Sequence, residues 1–249
     1  TDKNEIIELA ANAVNPVTGE ALNLTKLDIK GLGKAKYILK EGGTLGDLYT
    51  TSNLRFNDNG YVEVDKNGNL LMTDEGEDIY LGSVFPNHNL AWRNDFSYKG
   101  INLGVLFTAR LGGVCYSATQ ANLDLYGVSE ASAAARDAGG VLINGREMVD
   151  AQKWYQAIGS QSGLPQYYLY SATNVRLQEL SLGYTFPRKW FRNKLGLTVS
   201  FVGRNLWMIY CKAPFDPEAV ASTGLNYQGI DYFMMPSMRN LGFNVKFQF

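Results

Sequence analysis

Hydrophobic and polar residues alternate strictly over the last nine positions, Leu241-Gly-Phe-Asn-Val-Lys-Phe-Gln-Phe249. An extended strand turns successive side chains to opposite faces. Leu241, Phe243, Val245, Phe247 and Phe249 therefore share one face, and Gly242, Asn244, Lys246 and Gln248 the other. The same two-residue period recurs upstream. Over 89–99, Leu90, Trp92, Phe96 and Tyr98 oppose Arg93, Asp95 and Ser97, with Asn94 interrupting the apolar side. Over 101–111, Ile101, Leu103, Val105, Phe107 and Ala109 oppose Asn102, Gly104, Thr108 and Arg110, and Lys99-Gly100 predicts a tight hairpin turn. Over 175–186, Leu180, Leu182, Tyr184 and Phe186 oppose Glu179, Ser181, Gly183 and Thr185. Val175 and Leu177 fall on the other parity, which predicts a bulge or a change of environment. Over 195–210, Leu197, Val199 and Phe201 oppose Thr198, Ser200 and Arg204. Further strands are predicted at 46–56 and, with poorer patterning, at 35–40.

These strands are long enough to cross a bilayer at a tilt of ~45°. The connections at 99–100 and 187–193 are short, and those at 57–88, 112–174 and 211–237 are long. Short and long alternate, so all long loops leave one side of the sheet. A soluble sheet with one wet face shows the same residue alternation but has no reason to sort its loops by side. An outer-membrane barrel does, with short periplasmic turns, long external loops, an apolar face toward lipid and a polar face toward the lumen. The expected fold is all-β, a set of strands from a large antiparallel transmembrane barrel, with Leu241, Phe243, Val245, Phe247 and Phe249 lipid-facing. In the longest loop, short helices are expected at 129–138 and 146–158. A loop of roughly 60 residues exceeds ordinary connection lengths and points to function.

Composition adds little against this. The 23 basic and 24 acidic residues balance to −1, which gives no electrostatic case for nucleic acid. The 15 Tyr and 26 Gly suit aromatic girdles and tight turns. No run approaches the ~18 apolar residues of a membrane helix. The start, Thr1-Asp-Lys-Asn-Glu5, has no initiator Met, charged n-region or apolar h-region, and is read as internal. Two cysteines, Cys115 and Cys211, do not make a disulfide framework, and two unpaired thiols are expected.

Particular residues resemble a family. Asn174-Val-Arg-Leu-Gln-Glu-Leu-Ser-Leu-Gly-Tyr-Thr-Phe-Pro187 resembles the penultimate hairpin of SusC/RagA-type TonB-dependent transporters of Bacteroidetes. Val202-Gly-Arg-Asn-Leu-Trp207 is similar to their G-x-N-L strand, and Asp216-Pro-Glu218 to their D-P-E loop. Glu41-Gly-Gly-Thr-Leu-Gly-Asp-Leu-Tyr49 is similar to their E-G-x-P-x-G-x-x-Y segment, with Thr44 in place of Pro. Leu81-Gly-Ser-Val-Phe-Pro86, Phe96-Ser-Tyr-Lys-Gly100 and Ala135-Arg-Asp-Ala-Gly-Gly140 also fit. The resemblance implies that residues 1–249 are the C-terminal part of one barrel domain of about 22 strands, which six or seven strands cannot close. The plug domain and the other strands lie outside the chain. It further implies a Gram-negative outer-membrane location and import of glycan or peptide fragments. Implied partners are a SusD-like surface lipoprotein, the TonB system acting through the missing N-terminal part, and outer-membrane lipid.

No catalytic constellation, metal site or cofactor motif emerges, and no enzyme activity is expected. His88 is the sole histidine, which excludes a multi-histidine site within the chain. The acidic run Asp74-Glu-Gly-Glu-Asp78 lacks the spacing of a calcium loop and reads as a solvated charge run. Asp216 and Glu218 read as a structural loop motif rather than a glycosidase pair, and Gly42-Gly43 and Gly139-Gly140 read as turns. The loop aromatics Trp154, Tyr155, Tyr167, Tyr168 and Tyr170 are candidates for contact with an oligosaccharide, peptide or protein partner, and equally for loop packing. Asn226, Tyr227, Asp231 and Tyr232 form a second candidate group. Two rival readings share these features: a soluble β-sandwich carbohydrate-binding or adhesin module, and a siderophore-type TonB-dependent receptor.

Overall fold

A computed structural model describes residues 4–10, 13–22, 24–73, 76–222, 224 and 227–249. Its main element is a five-stranded antiparallel wall. The strands, in chain order, are His88–Tyr98, Ile101–Leu111, Asn174–Phe186, Gly196–Cys211 and Asn240–Gln248, and they lie side by side in that same order. Lys99 (φ +48°) and Gly100 (φ +87°) join the first two. Two successive positive φ values give the left-handed turn that matches strand twist. A Cβ on Gly100 would stand 2.7 Å from Thr185 O, so the turn also requires glycine for space.

The wall register assembles the apolar positions into rows. Phe96 pairs with Leu103, Leu103 with Leu182, Leu182 with Phe201, and Phe201 with Phe243. The next row runs Tyr98, Ile101, Tyr184, Val199 and Val245. The expected bulge is present: pairing shifts between Leu177 and Glu179 against both neighbouring strands. Gln178 is the extra residue against the second strand, and it moves Leu177 onto the same face as Leu180, opposite Phe107 and Val105. The two parities of the third strand are therefore one face. From Val175 to Phe186, at a ~45° tilt, that face would cover about 26 Å, close to the ~25 Å apolar band expected of an outer-membrane barrel. Asn94 interrupts it beside Val105.

The strand expected at 35–40 forms over those residues, the one expected at 46–56 only in part, and neither belongs to the wall. Ala35–Lys40 and Asp47–Thr50 join Lys26–Leu32 and Ile79–Ser83 in a separate four-stranded sheet. Asp47–Thr50 is buried at all four positions, so it cannot present one face to lipid. The wall thus has five strands rather than six or seven, and both its edge strands are unpaired among the described residues.

The long connections fold into one cap above the wall. Strand Val114–Ser117 pairs with Leu169–Ser171 on one side and, in parallel, with Ile230–Asp231 on the other. That sheet ties the second long loop to the third. Tyr37 of the four-stranded sheet ties that sheet to the third loop by donating its hydroxyl to Gln228 O. The cap core contains Tyr37, Leu48, Leu54, Val84, Tyr116, Ala121, Ile158, Leu164 and Ile230. Three helices lie in it: α1, Ala118–Leu125; α2, Glu130–Asp137; and α3, Ala151–Ile158. The helix expected at 129–138 forms as α2, capped by the Ser129 hydroxyl on Ser132 N. The one expected at 146–158 starts only at Ala151, because Glu147–Val149 pairs instead with Val141–Ile143 and Asp150 caps the helix. Helix α1 had no counterpart in the sequence pattern; an Asn and an Asp in its eight residues mute the helical signal.

Candidate functional site

The two wall faces differ in chemistry as their sequences require. The apolar face carries Trp92 stacked on Phe107 with ring centroids 5.7 Å apart, and Phe201 edge-on to Phe243 at 5.5 Å. Toward the short-turn side, Tyr184, Phe186 and Trp190 form a chain of rings at 5.0 and 5.8 Å. Such rings sit where an apolar face meets a membrane interface. Leu241, Phe243, Val245, Phe247 and Phe249 are all exposed, on the last strand and its terminal residue.

The opposite face carries a charge ladder built from the first, third and fourth strands. Arg93 Nε donates to Asp95 Oδ2 at 2.9 Å and Nη1 to Glu179 Oε1 at 3.4 Å, while Arg204 Nε donates to Glu179 Oε2 at 3.0 Å. A second row is neutral. Ser97 donates to Asn102 Oδ1 at 2.8 Å, Asn102 Nδ2 donates to Thr185 Oγ1 at 2.9 Å, and Thr185 and Thr198 share a hydrogen bond at 3.0 Å. This face is hydrophilic, and these two rows of side chains are hydrogen-bonded across it.

Where the wall enters the cap, Arg176 is clamped. The side chain is 4% exposed, yet every side of its guanidinium meets an acceptor. Nη2 donates to Asp216 Oδ1 at 2.9 Å and lies 3.3 Å from Glu218 Oε2, Nη1 reaches Asp216 Oδ2 at 3.3 Å, and Nε donates to Asn174 Oδ1 at 3.2 Å. Ser237 donates to Asp216 as well, and Glu218 N–H donates to Asp216 Oδ1 at 3.0 Å. Burial pushes the Asp216 carboxyl up, but the hydrogen bonds from Arg176 and Ser237 outweigh it and leave the group below the usual carboxylate range. The loop reading of Asp216 and Glu218 holds, and Arg176 is the residue that the sequence pattern did not single out. Its position three residues into an otherwise alternating strand reads as one more polar-face residue.

The aromatic candidates divide. Tyr168 is buried in the cap core, and Trp154 and Tyr155 pack against that core. Trp154 meets Tyr167 edge-on at 6.0 Å, and Tyr170 meets Phe215 edge-on at 5.4 Å. Tyr167, Tyr227 and Tyr232 are exposed. Asp231 is buried and accepts from the Ser117 hydroxyl at 2.7 Å. Asn226 lies outside the described residues, as do Asp74 and Glu75. Of the acidic run, Asp78 is no free charge: Lys26 and Lys40 each reach it at 2.8 Å and hold its carboxyl below the usual range. Among the described residues no group of acidic, His or Cys side chains has metal-binding geometry. Cys115 is buried and free, and Cys211 is free at the end of the fourth wall strand.

The chain matches no family model. It is 26% identical over 198 residues to the TonB-dependent receptor P3 of Formosa agariphila, a match that covers 75% of this chain and 19% of that protein. Its fold is similar to that of the RagAB peptide importer. In the closed-closed state the TM-score is 0.52 at 21% identity, covering 91% of this chain and 25% of the other. In the open-open state it is 0.53 at 18% identity, covering 94% and 24%. The chain thus spans about a fifth of its relative's length and a quarter of the matched importer chains.

Proposed function

We propose that this chain, a stretch of barrel wall and external cap from a SusC/RagA-type TonB-dependent transporter, serves nutrient import across a Gram-negative outer membrane. The observation that carries this reading is the pairing of two features in one fold: a wall with one apolar and one laced hydrophilic face, and long loops gathered into a cored cap at one end only. The apolar face supplies lipid contact, the ladder of Arg93, Asp95, Glu179 and Arg204 lines the lumen, and the cap offers a surface outside the membrane. The cargo is an oligomeric nutrient, a glycan or peptide fragment, captured with a SusD-like surface lipoprotein in a bacterium of the Bacteroidetes. Energy reaches the barrel from the TonB system through parts of the receptor outside this chain. The chain's own chemistry is binding rather than bond making. Tyr167, Tyr227 and Tyr232 are exposed cap aromatics available to a partner or ligand.

The test uses the full-length receptor, tagged in its native host and extracted from the outer membrane in mild detergent. A stoichiometric surface lipoprotein that copurifies supports the import complex. A barrel recovered alone favours the siderophore-type alternative, and recovery in the soluble fraction overturns the membrane reading.

A further inference from the structure

The three cap helices enclose a cleft that neither the wall nor the Arg176 clasp uses. Its volume is about 360 Å³, within the size range of small-ligand sites. Asp124, near the end of α1 and 5% exposed, lines it. One carboxylate oxygen accepts from Gln120 Nε2 at 3.0 Å, which fixes the group in place. Tyr126, 75% exposed, and Tyr155 supply aromatic faces, and Gln152 and Gln156 of α3 supply amides at the rim. Arg136 of α2 also lines the cleft, and its Nη1 donates to Gly127 O at 2.8 Å. Gly127 has φ +67°, and a Cβ there would stand 2.9 Å from that Nη1, so glycine keeps the guanidinium seated.

One carboxylate against one guanidinium leaves the cleft without net charge, so it selects neither an anion nor a cation. What remains is a set of planar bidentate groups beside two rings. Adjacent sugar hydroxyls each donate and accept, which suits carboxylate, amide and guanidinium edges. The C–H face of a pyranose suits an exposed ring that combines apolar area with a polar tip. We propose that this cleft binds one ring of a neutral oligosaccharide, stacked on Tyr126 and held through its hydroxyls by Asp124, Gln152 and Arg136. The inference rests on the importer reading only in placing the cap outside the cell.

Binding of maltohexaose, cellohexaose and laminarihexaose to the detergent-purified full-length receptor tests it, with a mixture of hexapeptides as the contrasting probe. At least one hexasaccharide is expected to bind saturably, and Tyr126→Ala and Gln152→Ala, both surface changes, are each expected to weaken it tenfold or more with the melting temperature unchanged. Equal affinity in the variants, no hexasaccharide binding, or Tyr126-dependent binding of the peptides alone would overturn it. Growth of a receptor-deletion strain on oligomeric nutrients is followed in parallel. If growth fails there while the cleft binds no sugar, the importer reading stands and the cleft assignment falls.

Discussion

Arg176 and Asp216 meet as a two-pronged ion pair 40 residues apart in sequence, with Nη2–Oδ1 at 2.9 Å and Nη1–Oδ2 at 3.3 Å. Arg176 stands on the third wall strand and Asp216 in the last long loop, so the pair fastens cap to wall. Both side chains are buried, at 4% and 7% exposure. Removing one partner strands the other charge away from water. Arg176→Ala is therefore expected to cost on the order of 3–5 kcal/mol, read as a lower melting temperature and faster protease cleavage within 212–239 of the purified receptor. Arg176→Lys is expected to recover only part of this, because an ammonium lacks the planar fork.

The same pair sets a pH dependence. The Asp216 carboxyl titrates lower in the folded protein than in an unfolded chain, so the unfolded chain takes up its proton first as pH falls. Its contribution to stability is present above the unfolded value of about 4 and is lost as pH drops through the lower folded value. Protease resistance of the 212–239 segment is expected to hold from pH 7 to about 5 and to decline below about 4. The decline should be absent in Asp216→Asn, which is already weakened at pH 7.

Phe201 and Phe243 lie mid-wall on the apolar face, and Ser200 and Asn244 lie next to them on the polar face. Phe243→Arg places a charge toward lipid and is expected to cost about 2–4 kcal/mol. Asn244→Arg, one residue away, faces the lumen and is expected to be near neutral. The amount of folded receptor assembled in the outer membrane separates the two. Equal assembly would sink the assignment of faces.

Cys115 has 0% exposure in the central strand of the cap sheet. Burial, followed by the nearby Asp231 carboxylate, pushes its thiol up to about 12. Only the thiolate is nucleophilic, so iodoacetamide at pH 8 is expected to leave Cys115 unmodified in the native receptor and to alkylate it after denaturation. Mass spectrometry of the peptide containing residue 115 reads the result.

The sequence by itself determined the wall. A period of two is a local property, so Leu241 to Phe249 and Ile101 to Ala109 announce their faces without reference to any neighbour. The two parities of Val175–Leu177 and Leu180–Phe186 even announced the bulge. Most of the cap became visible only in three dimensions, although α2 and the latter part of α3 were legible in the sequence. Asp47–Thr50 is buried on both faces and carries no alternation to read, α1 lacks a strong helical stripe, and Tyr168 and Tyr167 differ in burial although they are adjacent and chemically identical. Arg176 shows the limit most plainly. Its polar character was legible, but its partner lies 40 residues away on another loop. Only the folding of that loop onto the wall turns two surface-type residues into a buried clasp.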